Sequence, residues 1–290
     1  MEQKRARSPL LDAAAGHLAK GPLCEGAPPL PPKRGSCKLR HVGVHQHVHP
    51  RRSATEWIPI YDDNLEDLAV HGASLVTLHL QNCCGVTTVA PVAGTLRRLV
   101  VSGRDCGVDD EGVEAATRLR VLDASENNRI STVLPFAATL RELDASQCMI
   151  SDAGLKHATR LVVLRSDYND GITTVQPFCT SLRSLSAAGE CGIDDAALAH
   201  ATRLEMLGVW YNASVTTVKP FGSTLRTLYA SGNCGINDAG LAHATGIHTL
   251  CAMDNEGIST VQPFAKSLRS LVARGSCRIG DAGLRDATRI

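Results

Sequence analysis

The sequence predicts an α/β repeat solenoid, and three observations predict it. Five prolines, Pro91, Pro135, Pro177, Pro220 and Pro263, recur every 42–44 residues. Five cysteines, Cys106, Cys148, Cys191, Cys234 and Cys277, fall between them with the same period. Each long period splits into halves of 21–23 residues that open on Leu-x-x-Leu, as in Leu140/Leu143, Leu161/Leu164 and Leu182/Leu185. One such unit cannot bury its own apolar face, so the units stabilise one another by stacking.

The half-period lies in the range of leucine-rich repeats, about 20–29 residues. The opening of each half reads as a strand. Leucines at positions one and four and a small residue at six (Ala145, Ala187, Ala230, Ala273) place apolar groups inward. Positions three, five and seven then face out, onto the concave side of a parallel sheet. After the strand the chain turns with polar backbone left inside the coil. Asn127, Asn169, Asn212 and Asn255 carry donors and acceptors suited to those groups, and a cysteine takes the slot in alternate coils. In the cysteine halves, Asp152, Asp195, Asp238 and Asp281 stand where a helix N-cap belongs. The Leu155/Ala158 spacing behind them predicts about one and a half turns of convex helix. In the asparagine halves Pro177 and its equivalents interrupt a regular helix. A 3₁₀ turn anchored by Phe136, Phe178, Phe221 and Phe264 is expected instead.

These elements organise the chain into a solenoid over residues 75–290, with about ten coils, an N-terminal cap over 56–74 and a tail over 1–55. Asp62–Ser74 matches the helical part of a cysteine half without its strand, and Trp57, Ile58 and Ile60 are expected to cover the first core edge. Ile290 occupies the first position of a further repeat with no polar cap after it. The chain is therefore either a fragment or pairs, as an oligomer, through an open apolar edge. The tail holds ten Lys/Arg against three Asp/Glu, so its formal charge is +7 and that of the remainder is −6. A disordered basic tail is the expectation, with too little charge density for nucleic-acid binding.

Two motifs resemble known families. Asn169-x-x-Ile172-Thr-Thr-Val175-x-Pro177-Phe178 looks like the short-turn repeats of bacterial internalins. Cys234-x-Ile236-x-Asp238-Ala-Gly-Leu241-x-x-Ala244-Thr245 looks like the cysteine-containing leucine-rich repeats of ubiquitin-ligase substrate receptors. The alternation as a whole is most similar to leucine-rich repeat proteins of protists, some described as adenylate cyclase regulators. The resemblance implies a leucine-rich repeat horseshoe over residues 75–290. It also implies, as an alternative to a simple binding module, a regulatory or substrate-recognition subunit of a signalling enzyme. No apolar helical pattern before Trp57 supplies the docking module that a ligase receptor would need.

Several function classes find no support. Leu10–His17 is short and carries Asp12, which does not make a secretory leader, and no run approaches the roughly 18 apolar residues of a membrane span. Ladder cysteines in alternate coils should stand about 10 Å apart, beyond the roughly 7 Å Cα separation of a disulfide. Buried free thiols and a cytoplasmic setting are therefore expected. Cys24, Cys37, His41, His45, His47 and His49 have zinc-ligand chemistry without a tight ligand pair, so an incidental polar tail is the simpler reading. His157, His200 and His243 recur on the convex side, too far apart to share an ion. No nucleophile, base and orienting group stand outside the repeat pattern, no phosphate loop is present, and neither an enzyme nor a cofactor is expected.

Function should therefore lie at surface positions that the repeat leaves free. Along the concave face these give Asp123 and Glu126, then Glu142 and Asp144, then Arg165, Asp167 and Tyr168. Further on come Trp210 and Tyr211, then Tyr229, then Met253 and Asp254. An acidic zone runs into an aromatic one in a chain with only ten aromatic residues, which points to a protein or peptide partner with a basic segment. The competing reading is that Trp210 or Tyr211 folds back to pack on neighbouring coils.

Overall fold

The computed structural model describes residues 75–290, together with the backbone of β1 (Val42–Val44) and β2 (Glu56–Ile58). β1 and β2 pair antiparallel, Val42 opposite Ile58. The expectations for the 1–55 tail and the 56–74 cap otherwise lie outside the described residues.

From Leu75 onward the chain repeats one step. Its strands are β3 (Thr77–His79), β4 (Arg98–Val100), β5 (Val121–Asp123), β6 (Glu142–Asp144) and β7 (Val163–Arg165). They continue through β8 (Ser184–Ser186), β9 (Met206–Gly208), β10 (Thr227–Tyr229), β11 (Thr249–Cys251) and β12 (Ser270–Val272). All ten form one parallel sheet in sequence order. The position-four leucines stand in register along the whole sheet, Leu78 beside Leu99 and so on to Leu250 beside Leu271. This is the α/β leucine-rich repeat solenoid that the leucine spacing predicts: a one-residue slip would turn every leucine to the outer face.

Opposite the sheet, two kinds of segment alternate. Five one-turn helices, α1 (Asp110–Val113), α2 (Asp152–Leu155), α3 (Asp195–Leu198), α4 (Asp238–Leu241) and α5 (Asp281–Leu284), follow the cysteine halves. They are shorter than the leucine spacing suggests. Five 3₁₀ turns, each with proline at its start, follow the others, from Ala90–Val92 to Gln262–Phe264. Phe136, Phe178, Phe221 and Phe264 anchor four of these turns and are among the largest fully buried side chains. The N-cap, however, lies one residue earlier than expected. Asp109, Asp194 and Asn237 accept from the backbone N–H three residues on, at 2.9, 2.8 and 3.0 Å. Asp152, Asp195 and Asp238 instead hold the first helical position and reach across to the next coil. Asp195 accepts from Thr216 N and Oγ1 and from Thr217 N.

The asparagine ladder joins the coils from inside. Asn212 Nδ2 donates to Ala187 O at 2.8 Å and Ile193 O at 3.1 Å in the preceding coil, while its Oδ1 accepts from Ser214 N at 2.8 Å. Asn127, Asn169 and Asn255 repeat the pattern and are buried. The cysteines do less. Cys106 donates back to Leu80 O at 3.5 Å, while Cys148 and Cys191 donate to carbonyls of their own coil, Ala145 O and Ala187 O, and accept from Asn169 and Asn212 Nδ2 of the next coil at 3.8 and 3.3 Å. Cys106 and Cys148 are buried as expected, whereas Cys191, Cys234 and Cys277 are only half-buried.

Candidate binding face

The outer face of the sheet is built by register. Because the strands align position for position, equal positions of successive repeats become lateral neighbours about 4.8 Å apart. Position five places Asp123 beside Asp144 and Asp144 beside Arg165. Arg165 Nη1 lies 3.5 Å from Asp144 Oδ2. Asp123 accepts from its own Ser125, N–H and hydroxyl, and Asp144 accepts from Ser146 N. Burial, and then the neighbouring Asp123, push the Asp144 carboxyl above the ordinary value; its Ser146 hydrogen bonds and Arg165 offset only part of this. Asp167 is also pushed up by burial, yet it is tied to the next coil by Ser186 Oγ at 2.7 Å and Ala188 N at 2.8 Å. Asp167 is therefore both a face residue and a stitch between coils.

The aromatic zone divides in two. Trp210 lies over Gly208 of its own strand, where any Cβ would meet the indole. Its ring stands edge-on to Tyr229 of the next strand, with centroids 6.5 Å apart and planes at 86°. Edge-to-face contact at this separation is a favourable aromatic geometry. Tyr168 and Tyr211 belong elsewhere. Each occupies the eighth position, where the chain leaves the sheet, and each lies across the glycine at the same position of the next coil, Gly189 and Gly232. Packing onto a neighbouring coil thus applies to Tyr168 and Tyr211 where the chain leaves the sheet, and also to Trp210, whose partner Tyr229 on the sheet face belongs to the next coil. Tyr211 nevertheless keeps 54% of its surface exposed.

The eighth position has a property that leucine spacing alone does not announce. It carries a positive φ in all ten coils, in turn Asn82, Gly103, Glu126, Gln147, Tyr168, Gly189, Tyr211, Gly232, Asp254 and Gly275. The recurrence of glycine at this spacing in the later coils was the available signal.

The remaining expected residues are dispersed. Glu126 pairs with Arg104 at 3.5 Å on an exposed edge, a contact of little energetic weight. Glu142 is exposed at the third position of its repeat, where β6 begins. Met253 is half-buried, and Asp254 accepts from Ser276 N at 3.1 Å over Gly275. The face thus gathers Asp123, Asp144 and Arg165 into one cluster and Trp210 and Tyr229 into another. Gly208, which makes room for the indole, escaped the sequence reading because a glycine at position five has no pattern of its own.

Burial raises the Cys106, Cys148 and Cys234 thiols to about 11, which leaves them protonated and poorly nucleophilic at neutral pH. Among the described residues no group of three His, Cys, Asp or Glu is placed to hold a metal ion, and no helix is long and apolar enough to cross a membrane. The Cys24/Cys37/histidine set lies outside the described residues.

No family model matches the chain, and no curated protein matches it. Among solved structures, an internalin (inlF) of Listeria monocytogenes aligns with a TM-score of 0.55 at 24% identity, over 72% of this chain. The chain covers 63% of that internalin's length. Internalin C2 (inlC2) of the same organism aligns with a TM-score of 0.46 at 22% identity, over 76% of this chain and 86% of its own. The first likeness is one of fold.

Proposed function

We propose that this chain is a non-enzymatic protein-interaction module. Its concave sheet face takes a protein or peptide, with the acidic cluster receiving a basic side chain and Trp210 and Tyr229 anchoring the adjoining apolar one. The observation that carries the proposal is Asp144. Its carboxyl is held beside Asp123 on the outer face of a strand where packing requires no charge and burial opposes ionisation. A fold tolerates such a group most readily where a ligand uses it. A cationic partner would relieve the Asp123–Asp144 repulsion, and the aromatic pair at β9 and β10, three strands along the sheet from Asp144, supplies apolar contact area. The internalin-like fold agrees with this reading, since repeat solenoids present extended binding surfaces. Protonated thiols spaced by alternate coils agree with a cytoplasmic setting.

Affinity capture from the source cell tests the proposal. The native chain is compared with a Trp210→Ala/Tyr229→Ala variant and with an Asp123→Asn/Asp144→Asn variant, each checked by circular dichroism. Partners lost in both variants support the concave face; partners kept by both remove it. Co-purification of cyclase or ligase subunits through the same residues would make the chain a regulatory or substrate-recognition subunit.

A further inference from the structure

The edge of the sheet at which the strands begin is lined with arginine. Position two carries it in six coils: Arg97, Arg120, Arg141, Arg183, Arg226 and Arg269. Where position two is Val162 or Glu205, the residue before the position-one leucine supplies Arg160 or Arg203 instead. Every coil from β4 to β10 therefore contributes a guanidinium to one rim, and His248 follows at β11. Several are fixed by the coil edges themselves. Arg141 Nη1 donates to Arg160 O at 3.0 Å, Arg183 Nη1 to Arg203 O at 3.2 Å, and Arg226 Nη1 to Gly246 O at 3.3 Å. Anchored through one nitrogen, each keeps Nε and Nη2 as donors. Among the described residues one ion pair answers this charge, Arg183 with Glu205 at 3.8 Å.

At its far end the rim borders a cavity of about 540 Å³. His248, Lys266, Arg269 and Arg289 line it against one acid, Asp286, whose carboxylate is engaged by Gln262 Nε2 at 3.2 Å. His248 titrates below its ordinary value, through desolvation first and then through the guanidinium groups of Arg269 and Arg226 beside it.

We infer that this arginine rim is a second interaction surface, separate from the concave face, that binds an extended carboxylate-rich peptide segment of a partner protein. Guanidinium forks match carboxylates in bidentate geometry, and a row prefixed at one nitrogen loses less side-chain freedom on binding. Nine strands at about 4.8 Å give a track about 38 Å long, the span of about eleven residues of extended peptide. Single-stranded nucleic acid is the less fitting polyanion. Its binding tracks interleave basic groups with stacking aromatics, whereas Trp210 and Tyr229 lie on the sheet face and Tyr211 lies at the edge where the strands end.

The test is fluorescence anisotropy of the full chain with labelled dodecaglutamate, and with labelled dodecathymidylate as the competing polyanion. Arg118 stands before Leu119 as Arg160 stands before Leu161, and Arg118, Arg120 and Arg160 are exposed. Their joint replacement by Gln should raise the dodecaglutamate Kd at least fivefold. Replacing Arg104, Arg274 and Arg278, which removes the same charge elsewhere, should change it less than twofold. Lys266→Gln with Arg269→Gln, at the far end, should raise it at least threefold and stands in if the first triple variant does not fold. Equal losses in the two triple variants would reduce the rim to a net-charge effect and overturn the inference. An unchanged Kd in both rim variants would place binding on the basic tail and overturn it also. Tighter binding of dodecathymidylate, lost in the rim variants, would make the rim a nucleic-acid surface instead.

Discussion

The ring of Tyr211 lies across Gly232, filling the space that a Cβ there would occupy, while Gly232 itself holds φ +66°. The same relationship joins Tyr168 to Gly189. Two constraints therefore meet at one residue. Gly232→Ala should cost about 1–2 kcal/mol for the left-handed backbone alone, and more for displacing the ring. In a Tyr211→Ala background the cost should fall to the backbone part. Urea unfolding of the four proteins in this cycle measures the difference, and a cost independent of Tyr211 would remove the packing role of the ring.

Asn212 should be the least replaceable kind of residue in the solenoid. Asn212→Ala leaves Ile193 O without the donor it has now and Ala187 O with only the weak Cys191 thiol, and each buried unpaired group costs about 1–3 kcal/mol. A loss of about 2–4 kcal/mol is expected. Asn212→Asp should be worse, since a carboxylate cannot donate to the two carbonyls. Chemical denaturation checks both, and a loss below about 1 kcal/mol would contradict the stitching role.

On the convex side, Asp194 and Asp195 separate two roles that the sequence merges. Asp194→Ala removes an N-cap bond and should cost about 1 kcal/mol. Asp195→Ala removes three bonds to the next coil and should cost more, roughly 2 kcal/mol. Thermal melts of the two variants give the order, and the reverse order would restore Asp195 as the cap.

Asp144 predicts a pH signature. Its pKa is raised in the folded chain, so its contribution to stability is fully present below the ordinary value of 3.8 and is lost as pH rises through the raised value. Asp144→Asn should therefore be more stable than the native chain at neutral pH, and the gain should vanish as pH falls below 3.8. Melting temperature against pH for the two proteins decides it. The same variant should bind a basic peptide more weakly, so that stability and binding change in opposite directions.

The thiols give a fifth prediction, an independent check on burial. With pKa values of about 11 against an ordinary 9.0, Cys106, Cys148 and Cys234 should hold about a hundredfold less thiolate at pH 8. Alkylation followed by peptide mapping should label the exposed Cys84 first and the buried Cys106 and Cys148 only after denaturant is added. Early labelling of Cys148 would show that its coil opens.

The sequence by itself determined the repeat. Leucine at positions one and four, proline and phenylalanine after alternate strands and asparagine at the turn are each a local solution to burial or backbone satisfaction. Such solutions recur at a visible period, and Leu143, Phe178 and Asn169 therefore stand where their spacing places them. Tertiary structure alone decided what happens between coils. Asp195 reads as an N-cap from its neighbours in sequence, but its acceptors face Thr216, 21 residues away. Tyr211 reads as an exposed anchor until Gly232 in the next coil gives its ring a seat. Trp210 and Tyr229 become a pair only because adjacent strands lie side by side in register. Local chemistry fixes a residue's options through its own backbone. The stacking of coils, a through-space condition with no period shorter than the repeat, chooses among them.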